Sequence, residues 1–409
     1  AAHLHAALTH LRRLPASTER DRRELMLVQQ LGAAMLAANG VSDPELAAVY
    51  RRGQSLAQRL QMPVGHFGAT AGLFLFHVMR ADLDVAEGLA ETLGAAAANV
   101  PFPESLGLAR AAMAAVQSIR GDLVSASRHL AGLRGIFPRR DTRPPVDSSW
   151  YLGLLATLYA SLGQLDAVRA AEADLLGLAA RGTPSDIAQG HLMVAGLEAL
   201  LQDAAKALQH ADVATAVAAE HRLTFLQAAA GQLRGWAVAA LGDPASGLTV
   251  MGETAGALRP SGLRVGLPFL SMLRADALLR HGDWTSAAAA ITAGLEQART
   301  TGERRYDSDL HRLRAECLRR QGRKVAAGDA LKAALGIAAA QGTRLAELRA
   351  AIDGHRLHRA TPARAAAAER LAAVAASFDA DGPRSELAVA RALLTGAHVA
   401  PDWAQRQAS

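Results

Sequence analysis

The sequence predicts an all-α chain, an α-α superhelix (a solenoid) of about eight helical hairpins near forty residues each, closed by a C-terminal capping helix. Three observations carry this. Half of the 409 residues are apolar, but alanine dominates that half and aromatics make up only 4% of the chain. Alanine is the best helix former, and its small side chain lets helices approach closely. No alternating β-branched run marks a strand. Finally, helix-breaking motifs recur at a fixed period.

Those motifs are Ala81-Asp82-Leu83, Gly121-Asp122-Leu123, Gly163-Gln164-Leu165, Gln202-Asp203-Ala204, Gly242-Asp243-Pro244, Gly282-Asp283-Trp284 and Gly322-Arg323-Lys324. Successive separations are 40, 42, 39, 40, 40 and 40 residues, and Pro362 continues the series. A second series falls midway, at Gly182, Gly262, Gly302, Gly342 and Gly382, with Arg222 in the remaining slot. Two interleaved series mean two helices per unit. Glycine suits the left-handed residue just past a helix end, and an aspartate after it can cap the next helix. A single hairpin cannot cover its own apolar faces, so each unit must stack on the next.

From the N-terminus, helices are expected over residues 1–14 and 18–38, with a third opening at Pro44 after Ser42-Asp43. This more irregular part, residues 1–62, is expected to continue an upstream array. The opening helix reads as the second half of a hairpin, and the chain as a fragment. Residues 63–382 form the solenoid. Before Gly163 stand Leu152, Leu155, Ala156 and Tyr159, a large-large-small-large order for packing one helix of a hairpin on the other. After Gly282 come Ala287, Ile291 and Gly294, and after Gly322 come Ala327, Leu331 and Ala334, small-large-small positions on the second helix. A closing helix is expected over 384–395, within a cap and tail of residues 383–409.

These spacings resemble the tetratricopeptide (TPR) pattern. The chain resembles, over nearly all its length, the C-terminal tetratricopeptide region of large bacterial signalling proteins. The resembling stretches are HAALTHLRRLP at 5–15, ERDRREL at 19–25, GAAML at 32–36 with Asn39-Gly40, DPEL at 43–46, GERRY at 302–306, LHRLRAE at 310–316, and Glu386-Leu387 with ARALL at 390–394. In such proteins a class III adenylate/guanylate cyclase or DNA-binding domain precedes an AAA/STAND-type ATPase, and the array follows. The resemblance implies a regulatory role for this chain, with ATP and Mg belonging to upstream domains. It departs at 60–67 and 139–145.

Several chemistries find no support in the residues. Only Lys206, Lys324 and Lys332 are lysines, and none stands in a phosphate-loop motif. Cys317 is the single cysteine, which excludes an internal disulfide and fits a reducing cytoplasm. Its neighbours Glu316 and His311 do not make a nucleophile pair, because His311 and Cys317 lie on opposite sides of one helix. His355 and His358, beside Asp353, lack a third ligand at metal-binding spacing and read as an exposed, arginine-flanked surface. The formal charge of +6 is spread among interspersed acids. Its densest basic stretch, Arg139, Arg140 and Arg143 beside Pro138, Pro144 and Pro145, reads as a solvated loop, so no direct nucleic-acid binding is expected. Residues 60–79 lack Asp, Glu, Lys and Arg, but Pro63, His66 and three glycines mark a buried helix rather than a membrane span.

Binding remains. With the glycine breaks as register, the concave face receives Trp150, Thr157, Gln232, Trp236, Phe269, Met272, Asp276, Arg280, Asp309, Arg312, Glu316 and Arg319. Trp236, Phe269 and Met272 would form an apolar floor flanked by mixed charge. The competing reading makes these aromatics ordinary inter-repeat core. The sequence thus points to a non-catalytic interaction and regulatory-sensor array, cytoplasmic, with no cofactor of its own. Its partner is a protein, a peptide or its own upstream domains, with self-association left open. The alternatives are the regulatory tail of an intact nucleotide cyclase or of an ATP-dependent transcriptional regulator.

Overall fold

The computed structural model describes residues 2–39, 44–101, 104–130, 148–258, 262–378 and 382–396. Among them every regular element is an α-helix, twenty in all. The basic stretch at 139–143 and the tail beyond 396 lie outside the described residues. Three helices open the chain: α1 (Ala2–Leu11), α2 (Thr18–Asn39) and α3 (Pro44–Arg59). Eight hairpins follow: α4/α5 (Pro63–Met79, Leu83–Ala97), α6/α7 (Glu104–Ile119, Leu123–Leu130), α8/α9 (Ser148–Ser161, Leu165–Ala179), α10/α11 (Pro184–Leu200, Ala204–Glu220), α12/α13 (Thr224–Ala240, Pro244–Leu258), α14/α15 (Leu267–His281, Trp284–Thr301), α16/α17 (Asp307–Arg320, Lys324–Gln341) and α18/α19 (Arg344–His358, Arg364–Ala376). Helix α20 (Arg384–Leu394) packs on α18 and α19.

The turns sit where the breaker lattice puts them. Gly121, Gly163, Gly242, Gly282 and Gly322 all have positive φ, as do Gly262, Gly302 and Gly342 in the half-period series. More telling are the slots without glycine. Ala81, Gln202 and Arg222 have φ of 57°, 63° and 56°, so the lattice dictates the left-handed turn even where a Cβ opposes it. Gln61, twenty residues before Ala81, turns the same way at 54°, which carries the alternation back to α3. Gly182 differs: its φ is not positive. There a Cβ would collide with Asp186, which forms a capping box with Thr183 at the start of α10. The expected aspartate caps form at Asp122, Asp203, Asp243 and Asp283, each accepting an N–H three residues on at 2.9–3.1 Å. Asp82 instead meets His77 Nδ1 at 3.1 Å.

The small-large-small positions Ala287, Ile291, Ala327, Leu331 and Ala334 are buried, as are Leu152, Leu155, Ala156 and Tyr159. The uncharged stretch at 60–79 becomes α4, whose Phe67, Ala71, Phe74 and Val78 join the main core. No described helix is long and apolar enough to cross a membrane. Within α12/α13 the two backbones approach closely at a pair of glycines. A Cβ on Gly235 would lie 2.6 Å from the Gly247 carbonyl oxygen, and one on Gly247 would strike the Gly235 carbonyl.

The first helices of successive hairpins also pack on one another, from α8 through α10, α12, α14, α16 and α18 to α20. They form the inner layer of a superhelix whose turns touch: α18 reaches back to α8. The carbonyl of Met79, at the end of α4, accepts the N–H groups of Arg264 (2.8 Å) and Val265 (3.1 Å). The carbonyl of Ile119, at the end of α6, accepts those of Arg304 (2.9 Å) and Arg305 (3.3 Å). Both sides of this seam advance by forty residues. The last carbonyls of a helix have no partner within it, and here the next superhelical turn supplies one. Gln341 Nε2 donates to the Arg304 carbonyl (2.8 Å), and Arg349 Nη1 to the Leu200 carbonyl (2.9 Å). Under the seam Glu303, 2% exposed, accepts the Gly266 N–H at 2.7 Å. Burial pushes its carboxyl up to about 7 against the opposing effect of that N–H.

Candidate interaction site

The inner faces of α14, α16, α18 and α20 enclose a pocket of about 340 Å³, with Gln202 reaching in from the preceding superhelical turn. Helical spacing brings its charges together. Asp276 and Arg280 are one turn apart on α14, as are Arg312 and Glu316 on α16, and Arg349 and Asp353 on α18. Arg280 Nε donates to Asp276 Oδ2 at 2.9 Å, and Trp236 Nε1 donates to the same oxygen at 2.9 Å. Burial alone would raise the Asp276 carboxyl, but the Arg280 charge and these hydrogen bonds hold it below its ordinary value. Arg312 Nη1 donates to Asp353 Oδ2 (3.1 Å), and Arg356 Nη1 to Asp353 Oδ1 (3.3 Å). Burial opposes the charge on Arg312; Asp353 and Asp309 override it and keep the guanidinium firmly protonated.

Glu316 accepts from Arg319 Nε and Nη2 (2.7 and 2.6 Å) and from Arg320 Nε (2.7 Å). Burial would raise Glu316 too, and the two arginines bring it down. Arg349 donates to Glu386 Oε1 through Nε (3.0 Å) and Nη2 (2.6 Å). Six arginines and four carboxylates line the pocket, and Asp309 behind Arg312 leaves a net excess of one positive charge. Leu279, Leu313, Ile352 and Val389 give the same pocket an aliphatic lining.

The residues expected on the concave face divide between pocket and core. Asp276, Arg280, Arg312, Glu316 and Arg319 line the pocket. Asp309 is buried behind it, 3.6 Å from Arg312. The apolar floor is not there. Trp236 is fully buried, and Met272 is buried in the same core. Phe269 is half-buried, its ring 5.1 Å from that of Tyr306. Trp150 is buried and meets Tyr151 and Phe74 edge-on, with centroids 5.2 and 6.4 Å away. Gln232 is buried at the α12/α13 crossing, donating to the Met251 carbonyl and Thr254 Oγ1, both at 2.7 Å. Thr157 turns its hydroxyl onto the Leu154 carbonyl at 2.8 Å. At Trp236 and Phe269 the next hairpin covers the face that the register exposes, whereas Gln232 is covered by α13 of its own hairpin.

Arg349, Asp353, Arg356 and Glu386 belong to the pocket and were absent from the sequence reading of it. One more forty-residue step from Asp309 and Glu316 reaches Arg349 and Arg356. The segment around Asp353 is not an exposed surface: His355 is buried, and Asp353 bridges two arginines. Cys317 is also buried, its thiol donating to the Trp284 carbonyl at 3.2 Å, and burial raises its pKa. Among the described residues no cluster of three or more His, Cys, Asp or Glu could hold a metal ion.

No family model matches the chain, and no curated protein matches it. Among solved structures, it is similar to a Rap protein complexed with competence and sporulation factor. That match has a TM-score of 0.58 at 14% identity and covers 92% of this chain and 100% of that one. Aspartyl phosphate phosphatase F from Bacillus subtilis matches at TM-score 0.44 and 13% identity, over 95% and 98% of the two chains. A signal transduction ATPase with numerous domains and a tetratricopeptide repeat sensor, from Pyrococcus horikoshii, matches at TM-score 0.42 and 12% identity, over 87% of this chain and 53% of that one. The fold is a tetratricopeptide-like α-α superhelix.

Proposed function

We propose that this chain is a protein-interaction array that captures a peptide segment of a partner in the inner pocket, and so acts as the sensor of a regulatory protein. The observation that carries the reading is the pocket itself: charged side chains from three stacked hairpins and the closing helix α20 converge on one concavity with an aliphatic lining. Solenoids use such faces because each hairpin contributes a few side chains to an extended surface, and a concave pocket with a few fixed polar groups confers orientation and specificity. The Rap protein of similar fold was solved with a factor bound, which fits the same use of the architecture.

In this reading occupancy biases a domain elsewhere in the polypeptide. The pocket touches the seam between superhelical turns, because Arg349 lines it and also holds the Leu200 carbonyl. A ligand shifts such an equilibrium only by its differential affinity for the two arrangements, and Arg349 offers a contact through which that difference can arise. Selection of random peptides on the immobilised chain, followed by rebinding to the double variant Arg280→Gln, Arg356→Gln, tests the proposal. Peptides that bind the wild type and lose affinity for the variant support it. No selected peptide, or peptides indifferent to the variant, would overturn it.

A further inference from the structure

Resting on that interaction reading, we infer that the pocket recognises an acidic peptide segment, one presenting two carboxylates beside an aliphatic side chain. The charge count comes first. Each pocket carboxylate already accepts from at least one arginine: Asp276 from Arg280, Asp353 from Arg312 and Arg356, Glu316 from Arg319 and Arg320, and Glu386 from Arg349. The acids serve to position the guanidinium groups, and with Asp309 behind Arg312 also counted the site keeps one net positive charge.

The donors come second. Arg280 uses only its Nε, so both of its Nη groups carry no hydrogen bond among the described residues, and its side chain is 18% exposed. Arg312 and Arg356 each spend one Nη on Asp353, and the other Nη of each carries no hydrogen bond among the described residues; Arg312 Nε faces Asp309 at 3.6 Å. Arginine presents its N–H groups in a planar fork that matches a carboxylate and stays charged at any working pH. Three such forks, on consecutive first helices and oriented by the half-buried Asp276 and Asp353, provide acceptor-seeking groups with little left to order on binding.

The shape comes third. A volume of about 340 Å³ admits two or three residues rather than a folded surface, and Leu279, Leu313, Ile352 and Val389 give it an apolar side that a simple ion would leave unused. Both demands together fit a short peptide with acidic and aliphatic side chains.

The test compares four probes on the intact chain: a fluorescent octapeptide pool with a fixed Glu-Leu-Glu core and randomised flanks, its Gln-Leu-Gln twin, glutarate, and inorganic phosphate. The expected result is binding of the glutamate pool about tenfold or more tighter than its glutamine twin, a difference of one well-made charged contact or more. Affinity should fall with added salt, drop in Arg280→Gln and Arg356→Gln at unchanged melting temperature, and exceed that of glutarate and phosphate. If either variant fails to fold, the ratio between the two pools and its salt dependence decide the matter in the wild type. Equal binding of both pools would overturn the acidic specificity while leaving the interaction array standing. Binding of phosphate or glutarate as tight as that of the glutamate pool would overturn the peptide as ligand. Binding of no pool would overturn both.

Discussion

Arg222 stands in a slot where Gly262, Gly302 and Gly342 occupy the equivalent turns, and it adopts their left-handed backbone at φ 56°. A residue with a Cβ gives up about 1–2 kcal/mol in that conformation. Replacement by glycine recovers this but frees the unfolded chain, which costs about 0.5–1 kcal/mol. The side chain is exposed and makes no ion pair or hydrogen bond among the described residues, so little else is lost. The turn's own bonds, Arg222 N–H to the Ala219 carbonyl (3.2 Å) and Leu223 N–H to the Ala218 carbonyl (2.8 Å), need only the backbone. Arg222→Gly should therefore stabilise the array by about 0.5–1 kcal/mol. Arg222→Ala, which keeps the Cβ, should change little. Urea denaturation followed by helical circular dichroism reads the difference, with amide exchange in α11 and α12 locating it, because an array of repeats can unfold in more than one step. A loss of stability in Arg222→Gly, or an equal gain in Arg222→Ala, would refute the reasoning.

Other outcomes follow from the same geometry. Gly247→Ala drives a methyl into the Gly235 carbonyl and should destabilise the α12/α13 hairpin by about 1–3 kcal/mol, read as a lower denaturation midpoint. Glu303 has a folded pKa raised from 4.5 to about 7, so its contribution is fully present below pH 4.5 and is lost as pH rises through 7. The ceiling on that loss is about 3 kcal/mol, and Glu303→Gln should flatten the profile measured by urea titration between pH 5 and 8.5. His191 and His210 meet at 2.9 Å through their Nδ1 atoms, and burial lowers both pKa values. For His191 the facing His210 adds to the lowering; for His210, Glu172 raises while Lys206 lowers. Protonation thus favours the unfolded chain, and the pair's contribution holds above pH 6.5 and is lost as pH falls below it. In a Glu303→Gln background, stability should rise from pH 5 to 6.5, and His210→Gln should weaken that rise.

The lattice of turns was readable because each breaker acts locally. A left-handed residue and an aspartate cap need only their own neighbours, and the period held even at Ala81, Gln202 and Arg222. Gly182 shows the limit, since it is glycine to admit Asp186 rather than to turn left-handed. The acidic and basic half of the site was legible on α14 and α16, where charges recur every forty residues. Trp236 was misplaced because register alone does not say how far the next hairpin covers a face; its indole is buried and bonded to Asp276, the same lattice position one unit later. The seam was not legible at all. A forty-residue period reports contacts between adjacent hairpins, whereas Met79 meets Arg264 across a full superhelical turn, through backbone groups that no side chain announces.

That seam offers the most direct test of the superhelix whose inner face holds the pocket. Residue-resolved amide exchange on the native chain should find the N–H groups of Arg264, Val265, Arg304 and Arg305 protected like those of the neighbouring helices, although all four lie between helices. Exchange at these four amides as fast as in an open loop would contradict a superhelix closed turn upon turn.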